Sequence, residues 1–152
     1  GPGIFTEYYK SPDKTAEALD EHGWFHSGDI CSQDEDGQMM FHGRLKDMLK
    51  VGGENVAAIE IETCLQKHPA VRLAQVVGIP HARLQEIPAA FVEINDEEVV
   101  SEQELIDFCK DKVAGFKIPA HVRFIDEWPM SSTKIQKYKL QQQIIEDLGL
   151  DV

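Results

Sequence analysis

The sequence predicts an α+β fold, and three observations carry that expectation. Short apolar runs at 71–79, 89–94 and 122–125 have the length and β-branched content of strands. Segments such as the one holding Ile61 and Leu65, and the one holding Leu105 and Cys109, repeat apolar residues at helical spacing. Composition agrees, since 42% hydrophobic and 28% charged residues describe an ordinary globular chain. At 152 residues it is long enough to bury a core.

Taken in order, residues 1–42 do not read as a complete unit, because Ile4 and Phe5 have no earlier strand to pair with. Asp34-Glu35-Asp36-Gly37 predicts a hairpin turn between a strand ending at Ile30 and one starting at Met39. Leu45, Met48, Leu49 and Val51 can supply the apolar faces of a strand interrupted by Lys46, Asp47 and Lys50. Gly52-Gly53 then permits a backbone turn that residues with a Cβ resist. A helix over about 57–67 follows, with Ile61 and Leu65 on one face and Ile59 at its border, and Pro69 stops it. Beyond the strands at 71–79 and 89–94, Ser101-Glu102-Gln103-Glu104 is a capping box. Its helix turns Leu105, Ile106, Cys109 and Val113 to the core. The strand at 122–125 comes next, and a last helix runs from Tyr138 to Leu148 with Gly149 as its stop.

Charge excludes some partners. Twenty-seven acidic residues against fifteen Lys and Arg give a formal net charge of −12, which opposes a nucleic-acid surface or anionic lipid. Cys31, Cys64 and Cys109 are far apart with no CxxC, and are expected as reduced, buried thiols of a cytoplasmic protein. No apolar run is long enough to span a membrane, and no signal peptide opens the chain. The six histidines lack paired ligand spacing, and Gly23 between His22 and His26 spoils a helical pair, so no metal site is expected.

Four ordered stretches carry a more specific signal: GIFTEYY at 3–9, HGWFHSGDI at 22–30, GRLKDMLKVGGENVAAIEIE at 43–62 and WPMSSTKIQKYKLQ at 128–141. Together they closely resemble the adenylate-forming (AMP-binding) enzymes, the superfamily that includes acyl-CoA synthetases and fatty-acid–CoA ligases. The resemblance implies that residues 1–43 are the β-rich end of a large N-terminal domain. Residues 44–152 would be the small mobile C-terminal domain, a three-stranded sheet with helices. It implies that Asp29 holds the nucleotide ribose, where one carboxylate offers two acceptors to vicinal hydroxyls. Arg44 would contact ribose or phosphate with several donors, its alternative being a surface ion pair with Asp47 or Glu54. Lys50, Gly52, Gly53 and Glu54 would complete the cofactor-binding set, with the glycines forming a side-chain-free wall for the pantetheine arm of CoA. Lys46 takes the hinge position and Lys134 the catalytic lysine position. Thr133 departs from the glycine usual before that lysine and stiffens the loop.

The implied reaction joins a carboxylic acid, fatty acids foremost, to ATP as an acyl-adenylate and then to CoA, with Mg accompanying ATP mainly outside these residues. No Gly/Ser/Thr-rich phosphate loop and no acyl pocket is present, so the chain reads as the C-terminal piece of a longer protein that needs its own large domain. Alone it is expected to be inactive, with an exposed apolar arm able to pair with another copy. Two further readings are the same fold in an adenylation domain loading a carrier protein, and a non-catalytic α+β binding module.

Overall fold

The computed structural model describes residues 3–96 and 98–150. The chain divides into two compact units, Gly1–Lys46 and Asp47–Val152.

In the first unit, Ser11-Pro12-Asp13 starts helix α1 (Pro12–Ala18), with proline in its first turn, where an unpaired N–H would otherwise stand. The Thr15 hydroxyl accepts from Tyr8 N and donates to Ser11 O. Sequence reasoning missed this helix, although Ser-Pro-Asp is a helix-start signal. Asp20 accepts from the backbone N–H groups of Trp24 and His22 and lies 3.2 Å from His26 Nε2. The bond from Trp24, above all, holds its carboxyl below the usual aspartate value.

Strand β1 (Asp29–Gln33) pairs antiparallel with β2 (Met39–Arg44) across the expected Asp36-Gly37 turn, where Gly37 takes φ +82°. The first strand runs three residues beyond Ile30, because the turn is closed by Asp34 N to Gln38 O and by Gln38 N to the Asp34 carboxylate. Phe5, Tyr9, Trp24, Met39, Met40 and Phe41 are all exposed in this unit. Cys31 is exposed as well, because it lies on a two-stranded sheet whose residues are almost all open; only Cys64 and Cys109 fit the buried expectation.

The expected strand around Leu45 begins later than the apolar pattern suggested. Leu45–Asp47 form a 3-10 turn, and Leu45, 67% exposed, donates its N–H to Gly28 O instead of joining the next sheet. Strand β3 (Met48–Val51) then turns through Gly52 and Gly53 into β4 (Glu54–Ala57). Helix α2 (Ala58–Leu65) follows. Long strands β5 (Val71–His81) and β6 (Gln85–Ile94) form a hairpin, α3 (Glu102–Cys109) crosses over, and β7 (His121–Phe124) pairs parallel to β6. Helix α4 (Lys137–Leu148) ends at Gly149, whose φ of +61° gives the left-handed stop. The Ser101 hydroxyl accepts from Glu104 N, as the capping box requires.

The three strands expected from sequence are present, but the sheet has five. The order is β4-β3-β6-β5, with β7 also on β6. The count differs because the Gly-Gly turn makes a hairpin that attaches to β6 through Val51 and Gln85. Both faces of β5 and β6 are covered, which is why their apolar runs are nearly continuous. Ala74, Val76, Ala90 and Val92 pack with Ile61, Leu65 and Leu105, while Val77, Ile79, Ala89 and Phe91 pack with Leu140 and Ile144 of α4. Burial, with Cys64 beside it, pushes the Cys109 thiol up to about 12, so it stays protonated.

Partial burial, reinforced by Arg123 and opposed by Glu102, lowers the pKa of His121 from 6.5. The neutral ring is therefore the form the fold prefers. Its contribution is present in full above the unfolded value and is lost as pH falls through the lowered folded value. Chemical unfolding measured between about pH 7.5 and about pH 5 should show stability declining with acid, and His121→Gln should flatten that decline. Equal slopes for the two proteins would refute the assignment.

Candidate functional site

Asp29 and Arg44 come together by register. They are partners across the β1–β2 ladder, and Arg44 Nε lies 3.0 Å from Asp29 Oδ1. Arg44 thus forms its ion pair with Asp29, a partner that the sequence did not offer. Gly28 takes φ +75°, a turn conformation that lets Ser27 Oγ accept from Asp29 N at 3.2 Å. Ser27, Gly28, Arg44, Leu45 and Lys46 line an open pocket of about 410 Å³. Arg44 spends one N–H on Asp29, so the outer guanidinium nitrogens and the second carboxylate oxygen remain for a ligand carrying hydroxyls and negative charge. Lys46 is the last residue of the first unit, inside the 3-10 turn.

Lys50, Gly52, Gly53 and Glu54 are gathered in one hairpin turn of the second unit. Gly52 and Gly53 take φ +61° and +91°, values that L side chains rarely adopt. A Cβ on Gly52 would stand 3.1 Å from Leu84 Cδ2, whereas one on Gly53 would meet nothing within 4 Å. The Gly53 backbone is therefore open to whatever approaches it. The Lys50 ammonium bonds the Asn55 side-chain oxygen, and its backbone N–H donates to Glu86 Oε2 at 2.6 Å.

Lys134 stands on a different segment, a loop between β7 and α4 whose base is closed by backbone pairing. Met130 bridges Ile135, Gln136 N donates to Pro129 O, and Ser131 donates both its N–H and its hydroxyl to Lys134 O. The Lys134 side chain is exposed and has no ion partner among the described residues. Three positions later, Lys137 opens α4 and places Nζ 2.6 Å from Glu62 Oε1 on α2. Glu62 is the one buried charged residue among those described, and the same oxygen accepts from Val76 N at 2.8 Å. Sequence reasoning missed this pair. Its signal was spacing: Glu62 falls four residues after Ala58 and three before Leu65, on the buried face of α2.

The fold and these segments define a class: a small α+β domain that presents a backbone turn and a lysine loop from one sheet. The chain belongs to the family of AMP-binding enzyme C-terminal domains, whose model matches residues 60–135. It is 46% identical over 151 residues to YngI of Bacillus subtilis (strain 168), named as an acyl-CoA synthetase, and covers 99% of this chain and 28% of that protein. It is 41% identical over 148 residues to the mitochondrial medium-chain acyl-CoA ligase of Rattus norvegicus, covering 97% of this chain and 24% of that one. Among solved structures, ATP-bound MatB from Rhodopseudomonas palustris matches with TM-score 0.88 and 32% identity, over 97% of this chain and 29% of its own. The chain thus spans about a quarter of the length of the relatives it matches. These neighbours are adenylate-forming enzymes, and the curated relatives are named as acyl-CoA synthetases or ligases. Among the described residues no helix is long and apolar enough to cross a membrane.

Proposed function

We propose that this chain is the C-terminal part of an ATP-dependent acyl-CoA synthetase, which activates a carboxylic acid, fatty acids foremost, as an acyl-adenylate and passes it to CoA. In this reading residues 1–43 close a large N-terminal domain and residues 44–152 form the mobile domain. The chain alone carries half of the site, and the three unpaired cysteines suit the reducing cytoplasm. The carrying observation is Lys134, an exposed ammonium with no ion partner among the described residues, on a loop clamped at its base. Its charge offsets the repulsion between a carboxylate and the α-phosphate of ATP. Asp29 and Arg44 hold the ribose and neighbouring oxygens, with Mg accompanying the phosphates. The thiol step needs no such cation. It needs a narrow path for the pantetheine arm, and Gly52, Gly53 and Glu54, with Lys50 beside them, supply its wall.

Lys46 is the residue about which the second unit turns between the two steps. Proline there fixes φ and removes an N–H. In the protein assayed for each half-reaction separately, Lys46→Pro should slow CoA transfer by about tenfold or more and adenylation far less. Similar losses in both half-reactions would show that Lys46 is not the hinge. A carrier protein that outcompetes CoA as thiol acceptor would overturn the acceptor assignment.

A further inference from the structure

The Gly52-Gly53 turn is closed by the β3–β4 ladder and is braced from outside it as well. It is held by the tip of the neighbouring β5–β6 hairpin. Gly52 N donates to Leu84 O at 2.8 Å, and the preceding Lys50 N donates to Glu86 Oε2 at 2.6 Å. The tip is itself fixed, because His81 Nδ1 lies 3.3 Å from Arg83 N and 3.2 Å from Leu84 N. Val51 and Gln85 form the one register pair that ties β3 to β6, so the side-chain bond from Glu86 is the next tie in the chain. Its carboxylate lies over Gly78 of β5. A Cβ there would stand 2.8 Å from Oε1 and 2.9 Å from Cδ. Gly78 has no positive φ, so no backbone conformation demands glycine; a Cβ there would crowd the carboxylate and shift it from its place.

We propose that Glu86 is the positioning residue of the Gly52-Gly53 turn, and that Gly78 is glycine to seat it. The proposal rests on the reading of that turn as the wall of the thiol path. Glu86 acts at a distance from the reacting atoms. It accepts the Lys50 N–H and so fixes where the backbone of Gly53 stands. Loss of that bond leaves the lysine loop untouched, because Lys134 hangs from β7 and α4.

The test separates the thiol step from adenylation. Glu86→Ala should raise the KM for CoA about tenfold or more, with adenylate formation within about twofold of the parent. Glu86→Gln keeps an acceptor for the Lys50 N–H and should restore the parental KM. Gly78→Ala should raise the KM by displacing the carboxylate, and Gly78→Ala combined with Glu86→Ala should be no worse than Glu86→Ala alone. Amide hydrogen exchange on this chain gives a second readout: the Lys50 N–H should exchange faster in Glu86→Ala and at the parental rate in Glu86→Gln. Unchanged exchange in Glu86→Ala would overturn the pinning. An unchanged CoA KM in Glu86→Ala, alongside a raised one in Gly53→Val, would overturn the positioning role while sparing the thiol-path reading. No effect on the CoA step in Gly53→Val would overturn both.

Discussion

Lys134→Ala should slow acyl-adenylate formation by about a hundred- to a thousandfold, and thioester formation from supplied acyl-adenylate by no more than about threefold. The first step brings two anions together. At about 4 Å and an effective dielectric near 20, unit charges repel by about 4 kcal/mol, and an ammonium between them offsets a comparable amount. The structure presents Lys134 with no competing carboxylate among the described residues, so its charge is available for that role. The loop base is closed by the Met130–Ile135 bridge, which involves only backbone, so alanine at 134 should leave the loop shape in place. Separate assays of pyrophosphate release and thioester formation check this. Equal losses in both would refute the charge-neutralising role.

Lys137→Ala should destabilise the chain by about 2–3 kcal/mol in urea unfolding. Removing one member of a buried ion pair typically costs about 3–5 kcal/mol, because the other charge is left without a partner. The lower figure is expected here because the Lys137 side chain keeps 24% of its surface, while that of Glu62 keeps 10%. Glu62→Ala should cost at least as much, since it also strips the acceptor from Val76 N. Glu62→Gln keeps an acceptor and should be milder. A loss below about 0.5 kcal/mol for Lys137→Ala would mean that the pair behaves as a surface contact. The consequence reaches the proposed chemistry, because Lys137 begins the helix from which the Lys134 loop hangs.

Most of the second unit was legible because its signals are local. The Ser101 capping box and the Gly149 stop each encode an element end in a few side chains, whereas α2 ends at Leu65, short of the Pro69 stop. The apolar periods at Ile61, Leu65, Leu105 and Cys109 name core residues that the structure buries. The misses are non-local or are shaped by turns. Nothing near Leu45 says that its N–H goes to Gly28 O, seventeen residues back, so the apolar pattern places the strand's start too early. The fourth and fifth strands of the sheet depend on one pairing between Val51 and Gln85, thirty-four residues apart. Of the site, Asp29 and Arg44 could be named singly, but their pairing follows from hairpin register and was not visible. Lys137 with Glu62 and Lys50 with Glu86 are contacts between distant segments, and no local pattern connects the partners.

The length of β6 carries a consequence for inhibition. The Gly-Gly turn attaches at its start, at Gln85, while Trp128, at the entrance to the Lys134 loop, bonds Glu93 near its end. Eight residues of strand place those two attachment points about 27 Å apart within one unit. Under the proposed function, the lysine loop and the glycine turn are then presented to the reaction centre from attachment points at opposite ends of one strand. A molecule that traps the unit with one of them seated blocks the other half-reaction without touching its groups. Compounds mimicking the adenylate and compounds mimicking the thiol-bound product would then compete for the enzyme while resting against different residues.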